Sequence, residues 1–255
     1  MSGWARTGVH IWAGRVRDVA AAGDMAVLDE RERRRFTEYR DAVTAAHYAG
    51  ARAAVRRTVA RWHGVRPAEM AWGTGRCPGC GSDRHGPPLI RAPRTDWRVS
   101  VSRSGPWWML ALSRSAPVGV DIECRRPLAV PAVVRRCLGA EERAHVAAAP
   151  EGAARDEALM RCWVRKEAVV KGWGIGLGTD LARVAVRPDR RSAVLERTEA
   201  AGAAASELWV VRDVPAGEDC LAALARPAGD TAPLVVRPLI RPPEPGVRHE
   251  DAAAG

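Results

Sequence analysis

Cys162-Trp163-Val164-Arg165-Lys166-Glu167-Ala168-Val169-Val170-Lys171 is the stretch around which the chain is organised. At 3.6 residues per turn, Leu159, Cys162, Trp163, Val169, Val170 and Trp173 share one broad arc, while Met160, Val164 and Ala168 line much of the opposite side. Only a stripe near Arg161 and Arg165 reads as solvent-facing, so this helix is expected to be mostly buried. Lys166 falls inside the larger apolar arc, and Glu167 and Lys171 lie together where the two arcs meet. Buried charges need partners. A Glu-to-Lys pair four residues apart is one account of them, contributing about 0.3 kcal/mol on an exposed helix.

Upstream, Pro117-Val118-Gly119-Val120-Asp121-Ile122-Glu123-Cys124-Arg125-Arg126-Pro127 reads as a short buried strand. Its period of two puts Val118, Val120 and Ile122 on one face and Gly119, Asp121 and Glu123 on the other. Two carboxylates therefore project the same way. With Glu167 they make three hard oxygen ligands, a set that suits Mg²⁺ holding phosphate oxygens. The structural alternative is an edge strand with solvated acids before an Arg-Arg turn.

Together, Gly119-Val120-Asp121-Ile122-Glu123 and Trp163-Val164-Arg165-Lys166-Glu167-Ala168-Val169-Val170-Lys171 resemble the paired signature of 4'-phosphopantetheinyl transferases. The chain length and the Asp-x-Glu form of the first motif resemble the monomeric surfactin-synthetase-activating type rather than the short trimeric holo-acyl-carrier-protein synthases. The similarity runs from Leu28 to Pro227 and is weak outside the motifs. It implies that the N-terminal half supplies basic contacts to the 3'-phosphate and adenine end of coenzyme A. Arg52, in Gly50-Ala51-Arg52, is the best candidate for such a contact. Relatives carry Gly-Lys-Pro or Gly-Arg-Pro where this chain has His85-Gly86-Pro87, so Pro87 cannot supply the cation. His85 is held as a coenzyme A contact, with Arg84 or Arg91 as substitutes for the missing charge. The family's Ser-His-Ser-Gly hairpin, whose Ser and His touch coenzyme A phosphates, corresponds to Ser102-Arg103-Ser104-Gly105. Arg103 replaces the His with a fixed cationic fork suited to phosphate.

The 255 residues carry a formal charge of +10, from 40 Lys and Arg against 30 Asp and Glu. Only two of the basic residues are Lys, and both fall within the helix motif, at 166 and 171. Such a charge would attract nucleic acid, an anionic membrane or an acidic protein, and charge alone does not choose. No run approaches a membrane span and no secretory signal is visible, so a cytoplasmic location is expected. Six irregularly spaced Cys fit reduced thiols better than a disulfide framework. Cys77-Pro78-Gly79-Cys80 with His85 nearby suggests zinc, but without a second such pair an unliganded turn is the favoured reading.

Taken in order, the chain repeats itself. A strand from Val9 to Val16 corresponds to that at Val118, and a helix from Ala42 to Trp62 to that through Glu167. Ala68–Trp72 corresponds to Ala182–Val186, and a hairpin at Arg98–Leu112 to Glu207–Ala225. The offset stays at about 110 residues, as two copies of one supersecondary unit would give. The expected fold is α+β, a pseudo-dimer of two similar halves, each a mainly antiparallel sheet packed with helices. The active site is expected in the cleft between them. The halves are residues 1–115 and 116–227, with 228–255 expected to be a poorly ordered tail. Gly172–Gly178 follows its helix rather than preceding it, so it reads as helix termination and not as a phosphate loop.

The resemblance implies a Mg²⁺-dependent, monomeric enzyme that moves the 4'-phosphopantetheine of coenzyme A to a Ser of an apo acyl or peptidyl carrier protein. Asp121, Glu123 and Glu167 hold the metal, and Lys166, Lys171 and Arg103 neutralise the pyrophosphate, with Ser102 and Asp121 also at the coenzyme. Glu167 is the expected base, with Lys171 the other catalytic group. Neither nucleic acid nor membrane is an expected partner. The rival is a noncatalytic basic module for an acidic partner or nucleic acid, although no array of aromatics interleaved with cations is evident.

Overall fold

The structure is a computed structural model that describes residues 7–114, 116–124, 136–176, 179–197, 207–217 and 219–240. The first half contains β1 (Val9–Arg15), α1 (Ala22–Val27), α2 (Glu30–Thr37), α3 (Ala42–His63), β2 (Ala71–Thr74), β3 (Pro88–Ala92), β4 (Trp97–Ser104) and β5 (Trp107–Arg114). The second contains β6 (Gly119–Cys124), α4 (Ala140–Ala148), α5 (Ala153–Trp173), β7 (Ser192–Arg197), β8 (Glu207–Asp213), β9 (Cys220–Pro227) and then β10 (Leu234–Val236). One sheet has the order β10-β1-β5-β4 and the other β6-β9-β8-β7, with β2 and β3 forming a separate ribbon.

Two mainly antiparallel sheets packed with helices make the expected α+β architecture, and its repeat is visible in the strand pairing. In the first half β1 pairs antiparallel with β5, the second strand of the β4–β5 hairpin. In the second half β6 pairs antiparallel with β9, the second strand of the β8–β9 hairpin. Each half also has a long helix followed by a short 3-10 turn, at Pro67–Glu69 and at Leu181–Arg183.

Strand alternation builds the layers. Val9, Ile11, Met109 and Ala111 from the first sheet share a core with Val118, Val120 and Ile122 from the second. Burying each of the larger of these contributes roughly 1.5–3 kcal/mol. The outer face of the first sheet, with Val99, Trp108, Leu110 and Leu112, packs on Val55 and Val59 of α3. The outer face of the second, with Trp209, Val211, Ala223 and Ala225, packs on α5. The result is helix, sheet, sheet, helix.

α3 starts where Asp41 accepts a hydrogen bond from the Thr44 amide at 2.6 Å and ends at Gly64, which takes the left-handed conformation that glycine adopts without cost. α5 ends the same way at Gly174, as helix termination requires, while residues 177 and 178 of that glycine stretch lie outside the described residues. Two expectations need correction here. Arg165, assigned to a solvent stripe, is fully buried: Asp213 and the carbonyls of Val186, Arg187 and Arg190 take up its guanidinium. The stretch read as a tail from 228 is ordered as far as 240. Leu234–Val236 pairs parallel with β1, and Arg237 and Ile240 donate backbone hydrogen bonds to Ile11 and Ala13 at 2.8 and 2.9 Å. An unpaired edge of β1 would leave a row of polar groups, and this segment covers it. Residues 241–255 and the Arg125-Arg126-Pro127 turn lie outside the described residues. Among the described residues no helix is long and apolar enough to cross a membrane.

Candidate active site

Every second residue of β4 from Ser100 to Ser104 is a serine, and strand alternation turns all three toward β6. Both strands are sheet edges, so their outer backbone groups have no strand partner. Ser100 Oγ accepts from the Val120 amide at 3.0 Å and Ser104 Oγ from the Cys124 amide at 3.1 Å. Ser102 Oγ donates to Asp121 Oδ1 at 2.6 Å, and Ser104 Oγ to Glu123 Oε2 at 2.5 Å. Serine hydroxyls thus join the two halves and fix both acids of the strand motif.

The opposite neighbour of those acids is α5. It approaches so closely that a Cβ on Gly119 would lie 1.8 Å from the Ala168 carbonyl oxygen and 2.4 Å from the Gly172 nitrogen. That contact brings Lys171 over Asp121. Its Nζ donates to Asp121 Oδ1 at 2.5 Å and to Ser102 Oγ at 3.0 Å, so Lys171 turns to the other elements rather than to Glu167 one turn back. An ammonium has three donors, and Lys171 also borders a cavity.

Asp121 Oδ2 and Glu167 Oε1 are both buried without a hydrogen-bond partner. Burial pushes the Asp121 carboxyl up, with Lys171 and Ser102 opposing. Burial, and then the negative charge of Asp121, push Glu167 up to about 7, with Lys171 opposing and Glu123 adding to the rise. Orphaned carboxylate oxygens that repel one another are what a hard divalent cation would satisfy. Asp121, Glu123 and Glu167 therefore fit a metal by their chemistry. They are not closed into a compact triad, for the three-ligand cluster among the described residues is instead Cys77, Cys80 and His85.

The cavity beside Lys171 has a volume of about 870 Å³. Its cations are Arg31, Arg34, Arg35, Arg52, Arg103 and Lys171, against the acids Asp29, Glu32 and Glu38. All but Lys171 belong to the first half, and Lys171 makes the cavity a junction of both. Arg103 lies over Tyr48 at 5.4 Å and donates to the Tyr39 hydroxyl at 2.7 Å, an arrangement that holds its guanidinium at the wall. Arg52 lies over Trp72 at 5.6 Å and donates to Glu32 Oε1 at 2.6 Å. Glu32 also accepts from buried Arg56 at 2.6 Å and closes the capping box of α2 with Asp29, so one acid both starts α2 and orients Arg52.

Of the residues named from the sequence, Ser102, Asp121 and Lys171 are in direct contact, Glu123 and Glu167 face the same junction electrostatically, and Arg52 and Arg103 line the cavity. Two do not join them. Lys166 is fully buried and its three donors are consumed by Glu142 at 2.7 Å, the Leu181 carbonyl at 2.8 Å and the Val184 carbonyl at 2.5 Å. No hydrogen remains for a phosphate, so Lys166 is a structural pin. His85 is exposed, and its ring nitrogen sits 3.3 Å from Cys80 Sγ, while its neighbour Gly86 is the residue that reaches the cavity wall. Sequence reasoning missed the α2 arginines, Trp72 and Tyr48, although the run Glu30-Arg31-Glu32-Arg33-Arg34-Arg35 carried the charge signal. It also left the Ser100-x-Ser102-x-Ser104 alternation unread.

No curated protein matches the chain. The family model described as the 4'-phosphopantetheinyl transferase superfamily does match, over residues 117–224, a span that begins just before the acidic strand and includes α5 with Glu167 and Lys171. The second half of this chain is therefore a domain of the 4'-phosphopantetheinyl transferase superfamily.

Proposed function

We propose that the protein is a holo-carrier-protein synthase of the surfactin-synthetase-activating type. It transfers the 4'-phosphopantetheine of coenzyme A to a Ser hydroxyl of an apo acyl or peptidyl carrier protein and releases adenosine 3',5'-bisphosphate. The observation that carries this reading is the position of Lys171. It comes from the helix of the superfamily domain, bonds Asp121 and Ser102, and borders a cation-rich cavity built otherwise by the other half.

In this reading the nucleotide lies in that cavity. Arg52 and Trp72 meet its adenine and 3'-phosphate end, and Arg103 and the third donor of Lys171 reach the pyrophosphate. Asp121, Glu123 and Glu167 would hold Mg²⁺, which when bound supplies charge neutralisation at the pyrophosphate. The carrier Ser oxygen forms a bond to the phosphorus that bears the pantetheine arm, and the bond from that phosphorus to the bridging oxygen breaks. Glu167 takes the Ser proton, and the bisphosphate departs with the electron pair. Without a cation, burial and then the charge of Asp121 push the Glu167 carboxyl up to about 7, so this side chain can carry a proton near neutrality. The excess of cations around the cavity suits an acidic carrier surface, whose capture should weaken with added salt.

The test is to incubate the protein with coenzyme A, Mg²⁺ and apo carrier and weigh the carrier intact. A gain equal to one phosphopantetheinyl group supports the reading. An unmodified carrier of both acyl and peptidyl kinds, with coenzyme A demonstrably bound, would defeat it.

A further inference from the structure

We infer that Cys77, Cys80 and His85 form a Zn²⁺ site that staples the loop between β2 and β3, which packs against the end of α5. Their ligand atoms lie within 4.8 Å of one another, with Cys80 Sγ and His85 Nε2 3.3 Å apart. Tetrahedral zinc with bonds of about 2.3 Å to sulfur and about 2.0 Å to nitrogen needs separations of about 3.5–3.8 Å between ligand atoms. Small side-chain rotations bring the three there, and a water fills the fourth position.

The backbone is already shaped for a cation. Burial opposes ionisation of the Cys77 thiol, but the amides of Cys80 and Gly79 donate to its sulfur and lower its pKa on balance. The Gly81 amide donates to the Cys77 carbonyl and the Cys77 amide to the Ser82 carbonyl, both at 2.8 Å, with Gly81 at φ +71° closing the turn. At the neck of the loop the Gly75 amide donates to the Pro87 carbonyl at 2.8 Å. Neither thiol is in a disulfide, and none of the three residues lines the cavity. On binding, each thiol releases its proton, and the two thiolates balance the charge of the ion.

Its place in the fold assigns the role. Cys77 belongs to the same core cluster as Ile175, just past the end of α5. A Cβ on Gly79 would meet Ile175 at 3.2 Å, and one on Gly174 would meet Pro87 at 3.1 Å. The loop's far end contributes Gly86 to the cavity wall, beside Pro88 at the start of β3. Zinc therefore stiffens the loop, and the loop's packing on Gly174 and Ile175 ties that wall to the helix that carries Lys171.

The experiment measures zinc by elemental analysis in the full-length protein after dialysis, and then the absorption of the Co²⁺-substituted protein. One zinc per chain and an intense thiolate-to-Co²⁺ charge-transfer band with tetrahedral ligand-field bands are expected. Cys80→Ser and His85→Ala, both at exposed positions, should retain their far-ultraviolet circular dichroism while losing the zinc. Asp121→Ala should keep both the zinc and the band, separating this site from the acidic junction. Wild-type protein without zinc, a Cys77–Cys80 disulfide in its place, or zinc retained at full stoichiometry in Cys80→Ser would each overturn the inference.

Discussion

Gly119→Ala forces a methyl group into the tightest contact of the fold. The added Cβ would lie 1.8 Å from the Ala168 oxygen, 2.4 Å from the Gly172 nitrogen and 2.9 Å from the Gly172 Cα, all inside the 3.0 Å that such contacts essentially never breach. All three atoms are backbone of α5, so no side-chain rotation relieves the clash, and the helix has to move by more than 1 Å. It cannot retreat freely, because Gly172 is itself packed against the Trp209 ring. Overpacking of this kind costs about 1–3 kcal/mol, and occasionally more. The helix carries Glu167 and Lys171, so the same displacement opens the 2.5 Å contact between Lys171 and Asp121. A misplacement of about 1 Å at reacting groups is worth about 100-fold in rate. Urea denaturation gives the first quantity and the initial rate of phosphopantetheine transfer by the folded fraction gives the second. A Gly119→Ala protein with wild-type stability and rate would refute the reasoning, since α5 would then not be held against β6 as described.

Lys166→Met should cost about 3–5 kcal/mol in denaturant unfolding, because it leaves Glu142 buried without its cation, whereas the KM for coenzyme A of the folded protein should stay near wild type; a loss below about 1 kcal/mol would contradict the pin. His10 is held as a neutral ring, with Nε2 donating to the Thr7 carbonyl at 3.2 Å and Nδ1 accepting from Arg237 at 2.9 Å. Burial and then Arg237 push its pKa below the ordinary 6.5, so the unfolded chain binds the proton more readily, and stability should fall as pH drops from about 6.5 until the folded value is passed. His10→Gln should flatten that slope below about pH 6.5, and an unchanged slope would show that another group is responsible. Arg103→Ala should raise the KM for coenzyme A by about tenfold, the loss of one charge-assisted hydrogen bond, with carrier affinity little changed. Arg103→His should remain active but bind coenzyme A more weakly above neutrality, and indistinguishable KM values against pH would place Arg103 outside the binding surface.

The features legible in the sequence were local. The period of two in Val118–Glu123 placed three apolar residues in the core between sheets and three toward α5, and the arcs of α5 foretold its burial. The repeat was legible because each half reuses the same order of strand, helix and hairpin. The features that escaped depended on partners distant in the chain. Nothing beside Lys166 announces that Glu142 and two carbonyls will claim its donors, and nothing beside Arg165 announces Asp213. Leu234–Val236 is too short to stand out among prolines and arginines, and it is a strand because β1 has an edge to cover. Lys171 and Asp121 were each legible as charged site residues, but the sequence set Lys171 beside Glu167, and both its contact with Asp121 and the serine that joins them come from elements distant in the chain.

The measurement that tests the central claim most directly is the single-turnover rate of phosphopantetheine transfer by Glu167→Gln at saturating coenzyme A, Mg²⁺ and carrier, beside wild type. The substitution keeps the shape of a side chain whose carboxyl is pushed up to about 7 and removes its capacity to hold a proton and a cation. The account expects a rate lower by on the order of 100-fold, with an unfolding midpoint at or above that of wild type because a buried repulsive charge is gone. A Glu167→Gln enzyme that transfers at the wild-type rate would contradict it.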